Sequence, residues 1–170
     1  MLNKFVLFIS IIILFLLYFN RSPNRKNRLQ DNIIVSPCDG KVTYSNGRNI
    51  SIFLSVFDVH VQYVPIKSKV IDIKTVNVGN HILATNPKSS HNEGVRVVFR
   101  CQYGDIVVTQ RVGFFVRRII NSIKKNDILN RSDKYGFITF GSRVDIILPE
   151  NKISCLKVGD KLIGGITRIS

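Results

Sequence analysis

The sequence is poor in cysteine and contains no familiar metal-binding motif. Its three cysteines, Cys38, Cys101 and Cys155, are odd in number, widely spaced and without a CxxC pair. This spacing argues against a disulfide framework and a structural zinc site, and it favours a reducing compartment. HExxH, HxH and glycine-rich phosphate-loop motifs are also absent, so we predict no metal site.

Acidic residues are scarce as well. Aspartate and glutamate number 11 against 25 lysines and arginines, which gives the 170-residue chain a formal net charge of +14. Such an excess favours anionic partners, either nucleic-acid phosphates or the negative surface of a membrane. Because the chain has no basic motif with interleaved aromatics of the RNP type, we predict no nucleic-acid partner.

The N-terminus carries one long apolar run. Ser10 interrupts an otherwise apolar stretch from Phe5 to Phe19, and the segment from Leu2 to Phe19 has about the length of a transmembrane helix. Basic residues follow the run, so we predict a single-pass membrane protein with its folded domain on the cytoplasmic face. A cleaved signal peptide is the alternative, although no small-x-small cleavage site follows. The predicted segments are a transmembrane anchor over 1–20, a basic juxtamembrane linker over 21–32 and a domain over 33–170.

From Ile33 onward, the pattern is mostly β. Short runs rich in β-branched and aromatic residues alternate with Gly, Pro, Asn and Asp turn signals. The exception is FFVRRIINSIKK, residues 114–125, whose three- and four-residue apolar spacing predicts one internal helix. In the tail, residues 158–170, the pattern predicts a final, lipoyl-like hairpin with glycine turns. The expected fold is therefore mainly β, with antiparallel or barrel-like sheets, one internal helix and an N-terminal transmembrane helix.

A glycine-serine pair, Gly141-Ser142, lies between two strand-like runs. Gly-Ser suits the two-residue loop of a β-hairpin. Such a hairpin would place Phe140 opposite Arg143, which mixes an apolar with a charged side chain, so the register is only partly matched. From the pattern alone, a turn is the favoured interpretation.

A histidine in the run FLSVFDVHVQYVP also stands out. Alternation along a strand would put Asp58, His60 and Gln62 on one face. A histidine near a carboxylate is more often a structural pair than a catalytic one, so the spacing alone does not assign a role to His60.

Several motifs together resemble the short, archaeal-type form of the pyruvoyl-dependent phosphatidylserine decarboxylase family. The resemblance covers essentially the whole chain, and it is specific through the combination and order of the motifs. One departure is Tyr63, which stands where the short form usually has arginine. The motifs are YFNRSPNR (18–25), SPCDG (36–40), FLSVFDVHVQYVP (53–65), QRVGFFVRRII (110–120), YGFITFGSRVDIILP (135–149) and KVGDKLIGGITRI (157–169).

The resemblance implies a zymogen that cleaves itself between Gly141 and Ser142. Ser142 would attack the preceding carbonyl, and β-elimination would then leave a pyruvoyl group, the covalent cofactor, at position 142. By matching motif positions, Asp39 and His60 would assist as an aspartate–histidine pair. The two fragments, 1–141 and 142–170, would remain associated. The mature enzyme would convert phosphatidylserine to phosphatidylethanolamine and carbon dioxide, a step of phospholipid biosynthesis.

A lipid substrate requires contact with a membrane surface. Each surface lysine or arginine contributes about 1 kcal/mol of attraction to an anionic bilayer. The basic residues of the 114–125 segment are the candidates for contacts with membrane or lipid head groups: Arg117, Arg118, Lys124 and Lys125. The alternative function is a membrane-anchored β domain that no longer processes itself and binds anionic lipid. A homo-oligomer is compatible with either function.

Overall fold

A computed structural model describes residues 2–25, 30, 32–84, 86–114, 118–139 and 142–170. Helix α1 spans Leu2–Phe19, and a 3-10 helix spans Pro87–His91. The strands are β1 (Gly40–Asn46), β2 (Asn49–Leu54), β3 (Val61–Tyr63), β4 (Ser68–Val76), β5 (Gly94–Cys101), β6 (Gly104–Arg111), β7 (Ile119–Asn121), β8 (Ile128–Leu129), β9 (Lys134–Ile138), β10 (Ser142–Ile147) and β11 (Lys161–Leu162).

The strands form two antiparallel sheets, which confirms the mainly β prediction. The larger sheet has the order β11-β1-β2-β10-β6-β5-β4-β8, and the smaller has the order β3-β9-β7. The larger order is linear, so the hydrogen bonds of the described strands do not close a barrel. One apolar core joins the sheets, and in it the ring of Phe99 on β5 meets Tyr135 on β9 edge to face, with centroids 5.2 Å apart.

The Gly-Ser pair does not connect a hairpin, so that interpretation was wrong. Strand β9 lies in the smaller sheet, whereas β10 lies between β2 and β6 in the larger one. The chain therefore crosses from one sheet to the other between Ile138 and Ser142. The physical reason is burial. Val144 and Ile146 of β10 are fully buried in the shared core, and we infer that a hairpin with β9 would not bury them in this way.

The predicted internal helix over 114–125 was also wrong in its described part, while residues 115–117 lie outside the described residues. Ile119 and Ile120 belong to β7, which pairs with β9. Adjacent β-branched residues favour a strand, and the pairing of that strand with β9 outweighs the helix-like spacing of the apolar residues.

The tail does not form the predicted hairpin with itself. Strand β11 pairs with β1, with Leu162 opposite Gly40, and Arg168 bridges to Val35. The tail therefore extends the larger sheet beside residues 35–41. The sequence pattern located its glycine turns but could not identify this distant partner.

The apolar N-terminal run forms α1, but the prediction of a transmembrane anchor is not supported. Among the described residues, no helix has the length and apolar character needed to cross a membrane. Along α1, the described side chains from Lys4 to Tyr18 are exposed or partly exposed, and Phe19 at its end is buried against the domain.

Candidate active site

Ser142 is a buried residue at the point where the chain enters the larger sheet. It is the first residue of β10, lies opposite Leu54 of β2 and is fully buried. Its Oγ atom makes no hydrogen bond to any described part of the chain. Gly141, the other residue of the predicted cleavage site, lies outside the described residues. A buried hydroxyl without a partner is energetically unfavourable, so no hydrogen bond among the described residues ties Ser142 Oγ to a structural role.

A charged network fixes the strand that begins at Ser142. The carboxylate of Asp145 accepts hydrogen bonds from Nε of Arg143 at 2.7 Å, Nε of Arg111 at 2.6 Å and Oγ of Ser51 at 2.7 Å. These groups come from β10, β6 and β2, so they tie the three central strands together. Charge-assisted bonds of this kind are among the stronger ones in proteins, and they hold the backbone next to Ser142 in place.

His60 is fully buried just before β3. Its Nδ1 lies 3.0 Å from the carbonyl oxygen of Asp58, and its Nε2 has no hydrogen-bond partner in the described ranges. An Nδ1–H that donates to this carbonyl leaves Nε2 as a proton acceptor. The Asp58 carboxylate accepts instead from the backbone N–H of Ser55, so the predicted carboxylate–histidine pair on one strand face does not form.

The pKa of His60 is lowered, and burial is the main cause because it disfavours the charged ring. The nearby positive charge of Arg21 acts in the same direction. The hydrogen bond to Asp58 and the negative charges of Asp58 and Asp39 raise the pKa of His60, but the net shift is still downward. The imidazole is therefore held neutral, in the form that can accept a proton.

Asp39 is held by partners that the sequence did not predict. Arg25 binds its carboxylate through both Nη atoms, with Nη2 at 2.9 Å from Oδ2, and the backbone N–H of Gly164 donates at 2.7 Å. In the described part of the chain, Asp39 makes no hydrogen bond to His60, and its influence on His60 is through charge. Gly164 is required for this approach, because a Cβ there would lie 2.8 Å from the Cys38 backbone.

The end of α1 and the residues after it contact the same region. The ring of Phe19 packs against His60 in a tilted arrangement with ring centroids 4.5 Å apart, and the hydroxyl of Tyr63 donates to the carbonyl of Pro23 at 3.0 Å. The guanidinium of Arg25 also lies 5.2 Å above the Tyr63 ring. These contacts were missed because the YFNRSPNR motif gave no indication of its partners, which are far away in sequence.

Comparisons with known proteins identify the family of the chain. A sequence profile described as phosphatidylserine decarboxylase matches residues 12–170. The chain belongs to the phosphatidylserine decarboxylase family. It is therefore a decarboxylase, a carbon–carbon lyase.

Proenzymes are among the relatives of this decarboxylase. A phosphatidylserine decarboxylase proenzyme of Chlorobium chlorochromatii is 37% identical, over 95% of this chain and 81% of its own. Another, of Syntrophotalea carbinolica, is 39% identical over 91% and 78%. A protein of Methanococcoides burtonii, provisionally named archaetidylserine decarboxylase proenzyme, is 38% identical over 92% and 74%. No solved structure matches the chain.

The site of the decarboxylase fits a pyruvoyl group made from Ser142. Such a group would need a serine whose hydroxyl is not engaged elsewhere. Ser142 meets this condition, because the residue is fully buried and its Oγ is unpartnered among the described residues.

The basic residues predicted to contact lipid are placed differently from one another. Arg118 is exposed, and its carbonyl oxygen accepts hydrogen bonds from the backbone and hydroxyl of Thr139, close to the start of the crossing. Lys124 and Lys125 are exposed in a turn in which Asp127 accepts from the Lys124 N–H. Arg117 lies outside the described residues. Of the three that the structure describes, Arg118 is thus the one placed next to the chain crossing.

Proposed function

We propose that this decarboxylase is a self-processing, pyruvoyl-dependent enzyme that converts phosphatidylserine to phosphatidylethanolamine and carbon dioxide at a membrane. The observation that carries the proposal is the position of Ser142, buried with an unpartnered hydroxyl where the chain crosses between sheets. The proenzyme names of the relatives support self-cleavage.

Self-cleavage starts with the attack of Ser142 Oγ on the carbonyl carbon of Gly141. His60 Nε2 takes the hydroxyl proton, and the peptide C–N bond breaks as the nitrogen is protonated, which leaves an ester between the two residues. A proton then leaves Cα of Ser142, the Cβ–Oγ bond breaks, and Gly141 departs as a carboxylate. Water replaces the nitrogen of the resulting dehydroalanine, and ammonia is released.

Asp39 supports His60 through its charge. Its carboxylate raises the pKa of His60 against the lowering caused by burial, which strengthens the base without keeping it protonated. Arg25 and Gly164 fix the position of this charge. Asp39 is therefore a positioning residue for His60 in the proposed reaction.

In decarboxylation, the pyruvoyl group would supply an electron sink for the negative charge left when carbon dioxide departs. The protein's own residues would supply the proton and limit water. His60 returns a proton to the carbon that has lost its carboxylate, and the rings of Phe19 and Phe137 near His60 limit water in the site.

A lipid head group is the substrate class that the surroundings favour. A cavity of about 230 Å³ next to the site is lined by Lys134, Ser122 and Phe137 among others, and Lys134 can neutralise a phosphate. Phosphatidylserine and archaetidylserine share the phosphoserine head group. The site would bind that shared head group, so we propose phosphatidylserine as the substrate. We expect the lipid core to contribute less to substrate recognition.

Membrane attachment is expected to depend on the exposed apolar surface of α1. Replacing Leu14 and Leu17, which are 65% and 67% exposed, with glutamate removes apolar burial worth roughly 1.5–3 kcal/mol per leucine. Sedimentation with phosphatidylserine-containing vesicles should show binding weakened by more than about tenfold. Ile153→Glu, an exposed apolar position outside α1, is the control, and equal losses for both would contradict this role of α1. That the domain faces the cytoplasm stays a prediction.

The two fragments are expected to remain associated after cleavage. Strand β10 of the small chain pairs with β2 and β6 of the large chain along most of its length. Ile146→Ala should lower the denaturant concentration at which the fragments separate, since loss of a buried isoleucine costs about 2–5 kcal/mol. Ile147→Ala, at a partly exposed neighbour, is the control. Elution of the small chain alone from a native column would contradict this expectation.

Mass spectrometry under denaturing conditions tests the proposed function. The purified protein should give a large chain ending at Gly141 and a small chain that starts with a pyruvoyl group. Carboxyl-labelled phosphatidylserine should release labelled carbon dioxide, with archaetidylserine tested in parallel. An unbroken chain that binds anionic vesicles without releasing carbon dioxide would instead support the lipid-binding alternative.

A further inference from the structure

The end of α1 and the residues after it contact His60 and Asp39 of the candidate active site and are anchored along their length. We call residues 19–25 the cover segment. Arg21 donates to the carbonyl of Phe57 at 2.6 Å, and Lys134 donates to the carbonyl of Ser22 at 2.7 Å. Further along, Pro23 accepts from Tyr63 and Arg25 binds Asp39. A loose linker would not show contacts of this kind at nearly every residue.

Phe19 is the apolar part of the cover segment. It is 1% exposed, although the rest of α1 leaves large apolar side chains in the open. Its ring lies 4.5 Å from the His60 ring and 5.9 Å from that of Phe137, centroid to centroid. Phe19 therefore occupies space beside the proposed base that water could otherwise fill.

The proposed self-cleavage passes through an ester that has two possible fates. In elimination, a proton leaves Cα of Ser142 and the Cβ–Oγ bond breaks, so the small chain becomes pyruvoyl-started. In hydrolysis, water adds to the Gly141 carbonyl carbon and the C–Oγ bond breaks. That route releases a Gly141 carboxylate and a small chain that starts with an intact Ser142. A neutral imidazole can activate water as readily as it takes a carbon-bound proton.

We propose that the cover segment shields this ester from water, and that Phe19 is the positioning residue that directs it to elimination. The inference rests on the proposed self-processing function. Phe19 fills space beside the His60 ring, which reduces the room for water next to the base. The polar contacts of residues 21–25 hold the Phe19 ring in this position.

The test compares the N-terminus of the small chain in Phe19→Ala and in the unchanged protein. Removal of the ring should raise the fraction of Ser142-started small chain by at least about tenfold. Mass spectrometry distinguishes the two species, because the pyruvoyl-started chain is lighter by one ammonia. Tyr44→Ala, which removes an exposed aromatic ring of β1 outside the cover segment, should match the unchanged protein.

The outcomes separate this inference from the proposed function. If the unchanged protein never cleaves, the proposed function fails. If it cleaves and Phe19→Ala yields only pyruvoyl-started chain, the inference fails alone. Should Phe19→Ala lose its folding transition, Phe19→Leu decides, because leucine keeps most of the apolar volume. A Ser142-started fraction in Phe19→Leu above that of the unchanged protein supports the inference, and an equal fraction overturns it.

Discussion

Replacing Ser142 with alanine is expected to abolish both self-cleavage and decarboxylation. Alanine has no oxygen to attack the Gly141 carbonyl, so neither the ester nor the pyruvoyl group can form. The fold should survive, because the lost Oγ is buried without a partner among the described residues and its removal leaves no group unsatisfied. Denaturing mass spectrometry should show one unbroken chain, and labelled carbon dioxide should stay at background.

Ser68→Ala is a closely matched control for this experiment. Ser68 is also buried, also has an unpartnered Oγ in the described ranges, and also begins a strand, β4. It lies outside the proposed site, so its variant should cleave and decarboxylate like the unchanged protein. Cleavage of Ser142→Ala at the same bond would overturn the assignment of the nucleophile, and loss of cleavage in Ser68→Ala would show that a general packing effect is responsible.

The sequence predicted local features of the fold better than its pairings. The strand-like run after the Gly-Ser pair was predicted correctly, and Val144 and Ile146 in it are buried. The pattern could not show that these two residues lie opposite Ile52 and Ile50 on β2, because β2 is far away in the sequence. Their partners on β6, Gln110 and Val108, are equally distant from the pattern. The nearby hairpin was plausible locally, and the shared core decided against it.

The candidate site was predictable only in part for the same reason. Resemblance to the family selected Ser142, His60 and Asp39. It did not reveal that Arg25 binds Asp39, or that Phe19 packs on His60. Both contacts depend on how the end of α1 folds back over the domain, and neither periodicity nor motif spacing carries that information.

Replacing His60 with glutamine is expected to slow self-cleavage by about 10²–10⁴-fold, the usual contribution of a general base. Glutamine can fill much of the same space and hydrogen-bond, but it cannot accept a proton at neutral pH. His91→Gln, at an exposed histidine, is the matched control and should leave the rate unchanged. The rate is measured from the appearance of the small chain after synthesis of the proenzyme.

The pH dependence of self-cleavage distinguishes a base from a merely structural histidine. A general base works in its neutral form, and burial lowers the pKa of His60 below the ordinary histidine value of about 6.5. The rate should therefore be level through neutral pH and fall only as the pH drops through this lowered pKa. Asp39→Asn removes a charge that raises the His60 pKa, so the fall should move to still lower pH. A midpoint of the pH–rate profile above the ordinary histidine pKa would contradict the role of His60 as the base. The same pH–rate profile in a His60→Gln variant would contradict it as well.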